Sequence, residues 1–211
     1  GVSVESIAAM VEDSIAVKRQ VLADAGLLAA IAEVSQVCIG ALGRGNKVML
    51  AGNGGSAADS QHIAAEFVSR FGFDRPGLPS IALTTDTSML TAIGNDYGYE
   101  LVFARQVQAN GREGDVFIGI STSGNSRNVL KAVATCKEKG VTTVALCGSA
   151  GALKDVCDYA LCVPSTETPR IQESHIMIGH IICALCEEAL FSQYKPQAKS
   201  EEHTSELQSR F

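Results

Sequence analysis

Histidines and carboxylates at helical spacing are the residues that could do chemistry in this chain. It contains four histidines, His62, His175, His180 and His203. His62 and Glu66 are four residues apart, so on a helix both project from one face. His180 lies in an apolar stretch, Ile176 to Leu185, where an imidazole needs a partner; Gln172, Glu173 and His175 precede it. At helical pitch Gln172 stands about 80° from His180 and Glu173 nearly coincides with it. Spacing therefore leaves Gln172 and Glu173 open as partners and does not exclude His175. A His and a Glu on one helix, with a His and an amide or carboxylate on another, can hold a divalent ion such as zinc. The same groups can serve as an acid and a base without a metal. Each half also has a plainer reading, as a solvated surface pair or as a satisfied core histidine.

Two loops could hold an anion. Gly52-Asn53-Gly54-Gly55-Ser56 follows a short apolar run and opens a helical pattern, with glycines for close backbone approach and Ser56 placed to cap the helix. Ser121-Thr122-Ser123-Gly124-Asn125-Ser126 stands in the equivalent place further on and offers four hydroxyls. One such loop reads as an ordinary capped turn. Two on one sheet favour a neutral cradle for a small phosphorylated polyol. Neither matches G-x-G-x-x-G or the P-loop, so a nucleotide is not supported.

The elements that must position these groups alternate. Ser3 to Gly43 reads as two helices broken near Asp24 to Gly26, followed by a strand at 47–51 and a helix from Ser56 to about Arg70. Phe71 to Pro79 reads as a loop. A strand at 80–84, a short helix at 87–93 and a longer one at 99–110 come next, then strands at 115–120, 141–147 and 159–163 with helices at 128–139 and 152–157 between them. A long amphipathic helix covers about 169–193. Continuous apolar strands alternating with helices predict a doubly wound α/β fold on a five-stranded parallel sheet. Ligands in such folds bind beyond the carboxyl ends of the strands, where both loops lie. One domain over 1–192 is expected, with a polar tail at 193–211, and neither terminus is expected to carry function.

Composition narrows the classes. The 211 residues are 46% hydrophobic and 19% charged, with a formal charge of −6, which predicts a soluble globular protein with no basic field for nucleic acid or an anionic membrane. The longest uncharged apolar runs fall well short of the roughly 20 residues of a membrane span. Seven cysteines, an odd number set mostly in apolar runs, suit core packing in a reducing cytoplasm better than a disulfide framework. The Cys183–Cys186 C-x-x-C lies within a helical pattern and reads as core.

Four segments, AGNGGSAADSQHIAAEF, LTTDTSMLTAIGNDYGYE, GREGDVFIGISTSGNSRNVLKA and RIQESHIMIGHIIC, resemble the sugar isomerase (SIS) family and, within it, the phosphoheptose isomerase branch, over about residues 5 to 192. The resemblance implies conversion of sedoheptulose 7-phosphate to D-glycero-D-manno-heptose 7-phosphate without a redox cofactor. It implies that Asn53, Gly54, Gly55, Ser56, Glu66, Asn95, Asp96, Ser121, Thr122, Ser123, Ser126 and Gln172 bind substrate. It implies one zinc ion per subunit on His62, Glu66, Gln172 and His180, with Glu66 as base and His180 as its acid partner. It thereby chooses Gln172 and leaves Glu173 and His175 to outer roles. Homotetramers with active sites at subunit interfaces are implied as well, which would give the apolar N-terminal helices a purpose. A non-catalytic SIS relative that binds the bacterial replication initiator is the main rival; it lacks the carboxylate at the Glu66 position and the imidazole at the His180 position, and this chain has both. A sensor or isomerase of another sugar phosphate is the second.

Overall fold

The computed structural model describes residues 1–197; the rest of the polar tail lies outside the described residues. Two long helices lead, α1 (Val4–Ala23) and α2 (Ala25–Gly43). Asp24 separates them: its Oδ1 accepts from the Leu27 amide while its own amide donates to Val21, so one residue ends one helix and caps the next.

The remaining elements alternate as β1 (Val48–Ala51), α3 (Gly55–Val68), β2 (Ser80–Ala82), α4 (Thr87–Tyr97), α5 (Val102–Asn110), β3 (Val116–Ser121), α6 (Arg127–Lys139), β4 (Thr142–Cys147), α7 (Leu153–Val156), β5 (Tyr159–Cys162) and α8 (Thr168–Phe191). The strands form one parallel sheet in the order β2-β1-β3-β4-β5. The sheet is covered on both faces. Val48, Leu50, Val116, Ile118, Ile120, Val144 and Leu146 pack with α2, α3 and α8, whereas Met49, Ala51, Phe117, Ala145 and Cys147 pack with α5 and α6. That is why the strands read as unbroken apolar runs: successive residues point into two different cores.

The order of the sheet reverses at β1, with β2 on one side and β3 on the other, so the loops after β1 and β3 flank the switch point where such folds bind ligands. Helix α4 runs four residues beyond its expected end and stops at Gly98, whose φ of 94° breaks the helix. Asn95 and Asp96 therefore lie on its last turn and not in a loop. By length and composition alone, α2 and Thr168–Tyr194 could each span a bilayer; both contribute buried residues to the core on one face of the sheet.

Candidate active site

The loop after β1 turns at Gly54, whose φ of 58° and ψ of −120° make it the N-cap of α3 without any side-chain cap. Contrary to the expectation from sequence, Ser56 does not cap the helix: Gly54 makes the turn and is the N-cap, and Ser56 lies buried inside the first turn. A Cβ on Gly52 would lie 2.8 Å from the Ile120 carbonyl and 2.7 Å from the Ser56 Cβ. Asn53 is held by its amide: Nδ2 donates to Asn128 Oδ1 (2.9 Å), and Oδ1 accepts from Asn128 Nδ2 (2.9 Å) and from the Tyr99 hydroxyl (2.8 Å). The two loops are thus joined across the switch point, since Asn128 opens α6.

In the second loop Ser121 and Ser126 share a hydrogen bond of 2.8 Å, Ser123 Oγ lies 3.4 Å from Ser121 Oγ, and the Gly124 and Asn125 amides donate to Ser121 and Ser123 (3.1 Å each). Thr122 lies on the same turn, half-buried. Gly124, with φ of 70°, packs directly against Ala150 and Gly151 from the loop after β4, so the hydroxyl cradle is braced from behind. Asn95 and Asp96 are exposed and hydrogen-bonded to each other (3.3 Å); among the described residues no hydrogen bond ties them to either loop.

His62 and Glu66 project from one face of α3, as their spacing requires, and α8 runs parallel beside it. The two helices approach closely where Gly179 meets Ile63, and this brings His180 over His62. Their Nε2 atoms are 3.3 Å apart, and Glu66 Oε2 lies 3.6 Å from His180 Nε2 and 4.0 Å from His62 Nε2. The rings meet edge to face at 5.0 Å, and Phe71 meets His180 in the same manner at 5.3 Å. The cluster opens to solvent, with the His62 side chain half exposed and that of Glu66 a quarter exposed.

These donors suit a divalent ion such as zinc. Two imidazoles and a carboxylate are borderline ligands typical of catalytic zinc, and bonds of about 2.0–2.1 Å in a tetrahedron place ligand atoms about 3.3–3.4 Å apart, near the His62–His180 separation found here. Gln172 is not brought to this cluster. Its side-chain amide lies against Gly55 at the start of α3, and eight residues of α8 separate it from His180, about 12 Å of helix rise.

Glu173 bonds Ser14 of α1 (2.6 Å) and Arg170 (2.7 Å). His175 is a core histidine: burial drives its pKa down to about 4, against the opposing bond to the Cys147 carbonyl (2.9 Å), and the ring is neutral. Asp59, one turn before His62, has its carboxyl pushed up by burial, with His62 opposing.

Several contacts here had no sequence signal. Tyr99, Asn128 and Phe71 touch the site residues from distant segments, and only a three-dimensional arrangement reveals them.

The SIS domain family pattern matches residues 11–148. A phosphoheptose isomerase from Aneurinibacillus thermoaerophilus is 66% identical over 182 residues, covering 86% of this chain and 92% of the relative. Among solved structures, a phosphoheptose isomerase from Neisseria gonorrhoeae superposes with a TM-score of 0.80 at 44% identity, covering 87% of this chain and 98% of that one. One from Francisella tularensis gives 0.84 at 38%, covering 89% and 100%.

Proposed function

Because the chain belongs to the phosphoheptose isomerases of the SIS-domain family, we propose that it converts sedoheptulose 7-phosphate to D-glycero-D-manno-heptose 7-phosphate, with Glu66 and His180 moving the protons. The observation that carries this reading is the meeting of Glu66 and His180 at 3.6 Å across two helices, in a solvent-open site on the helix that the uncharged glycine loop opens.

Glu66 takes the proton from C1 of the open-chain ketose while His180 gives a proton to the C2 oxygen, leaving an enediol. His180 then takes the proton of the C1 hydroxyl and Glu66 returns its own to C2, so the isomerisation is balanced without a redox partner. Backbone amides at Gly54 and Gly55 and the hydroxyls of Ser121, Thr122, Ser123 and Ser126 hold the phosphate, with Asn53 fixed between them by Tyr99 and Asn128. The Ser56 amide closes this loop by donating to the Asn53 carbonyl (3.0 Å), and Gln172 sits on this phosphate side. Asn95 and Asp96 bind the sugar hydroxyls. Zinc held by His62, Glu66 and His180 would supply Lewis-acid polarisation of the carbonyl oxygen.

The protein works as a homotetramer with sites at subunit interfaces, in the cytoplasm, on a small sugar phosphate and without nucleic acid or membrane as partner. The apolar face of α1 supports the assembly: Ile7, Met10, Val11 and Ile15 are all exposed in the single chain. The test is turnover of sedoheptulose 7-phosphate by the wild type and by Glu66→Gln. The variant keeps shape and phosphate binding and loses about 10²–10⁴-fold in rate; near-normal turnover would sink the assignment.

A further inference from the structure

Residues 71–79 read from sequence as a plain loop, yet they contain a guanidinium whose side chain is fully buried. Arg75 and Glu187 pair at 2.8 Å with side chains 0% and 2% exposed. Burial works to raise the Glu187 carboxyl, but the Phe71 and Gly72 amides and the Arg75 guanidinium win and hold it below the usual carboxylate range.

Stability alone is a weak reason for such a pair, because well-packed apolar residues often replace a buried ion pair without loss. Its other bonds are more informative, since nearly all go to backbone around the site. Arg75 Nη2 donates to the Glu66 carbonyl (2.8 Å) and Nη1 to the Phe67 carbonyl (2.7 Å). These are last-turn carbonyls of α3, which have no partners within the helix, and α3 ends at Ser69 with no glycine cap. Glu187 accepts from the amides of Phe71 (2.8 Å), Gly72 (2.7 Å) and Phe73 (3.2 Å), and so sets the loop that carries the Phe71 ring against His180. Glu187 itself stands on α8, two turns after His180.

We propose that Arg75 and Glu187 are positioning residues, a clamp that locks the last turn of α3, and with it Glu66, to the helix and the aromatic ring that orient His180. This rests on the assignment of Glu66 and His180 as the acid and base of the isomerisation. The clamp touches no substrate; it keeps two proton-transfer groups from separate helices in register.

The test uses the full chain with Arg75→Met/Glu187→Leu, which removes the charges together and fills their space, alongside Arg75→Lys, which keeps the charge but cannot span the Glu66 and Phe67 carbonyls together with Glu187. In both, kcat per folded molecule falls about 100-fold, as a displacement of roughly 1 Å can cause, while KM for sedoheptulose 7-phosphate stays near wild type; the thermal midpoint also falls, because backbone groups bonded by the pair lose their partners. A second readout is independent of turnover: the His180 ring signals in NMR spectra of histidine-labelled protein shift as Phe71 moves away. A folded double variant with wild-type kcat overturns the proposal. So does an Arg75→Lys protein whose rate falls only in proportion to its unfolded fraction. Should the wild type itself not turn over the ketoheptose, the functional reading fails, and the clamp is then judged on the NMR signal, where unchanged His180 resonances overturn it.

Discussion

Replacing Gly179 by Ala tests whether the site depends on the close approach of α3 and α8. A Cβ at this position would lie 2.5 Å from Ile63 Cδ1 and 2.6 Å from Ile63 Cγ1. Carbon atoms settle at about 3.5–4.0 Å, so the helices must part by about 1 Å. Ile63 cannot swing aside, because a β-branched side chain in a helix keeps one χ1 well. Overpacking of this kind costs about 1–3 kcal/mol, offset by about 1 kcal/mol from removing a glycine from a helix interior. Stability therefore falls by only about 0–2 kcal/mol, the difference of these two terms. The rate falls further: His62 and His180 adjoin the two contact residues, and a 1 Å misplacement of reacting groups costs about 100-fold, equivalent to about 2.7 kcal/mol in the barrier. Initial rates of sedoheptulose 7-phosphate isomerisation, set beside thermal denaturation, separate the two effects. Adding Ile63→Ala removes the clashing atoms and should return part of the rate at a further cost in stability. Unchanged kcat in a stably folded Gly179→Ala protein would refute the argument, as would a double variant no faster than the single.

Other expectations follow from the same geometry. Ser123→Ala removes a hydroxyl from the cradle; a hydrogen bond to a charged group is worth about 1.5–3 kcal/mol, so KM should rise about 10–100-fold with little change in kcat, and steady-state kinetics decides it. His62→Ala leaves two of the three clustered donors, so elemental analysis of the purified variant should show most of the bound zinc lost, and full retention would count against the metal site. Asp115 is 1% exposed. Burial favours raising its pKa, but Lys47 at 2.7 Å, Asn46 and the Lys47 and Arg112 amides lower it. A depressed carboxyl stabilises the fold above its unfolded value of about 3.9 and loses that contribution as pH falls through the folded value. The gap in thermal midpoint between wild type and Asp115→Asn should therefore be full at pH 7 and narrow below about pH 4; a gap that persists unchanged into acid would show that charge is not the cause.

Much of this architecture is legible from residue order because each strand is a short apolar run between turn signals, and both faces of the sheet are covered. The end of α4 was not. Gly94 looks like a stop, yet its φ is ordinary, and the break falls at Gly98. For the site, the His62–Glu66 spacing already points to one helical face. His180 could not be assigned to that pair from spacing, because it lies 118 residues away and reaches His62 only through the Gly179–Ile63 approach. The resemblance supplied Gln172 as a fourth metal ligand; within one chain it stands with the phosphate loop. Arg75 and Glu187 carry no local signal, and nothing in the residue order announces that residues 112 apart will meet in the core.

Helix α1 is 20 residues long and only Val21 is buried within the single chain. If it is a contact between copies, as proposed, then ordering this helix is governed by mass action, and the protein's stability becomes a property of its own abundance. Each tenfold dilution withdraws about 1.4 kcal/mol from an association step. Expression level would then set more than the number of enzyme molecules: below the association threshold a growing share of chains would be folded but incomplete, and specific activity would fall with concentration.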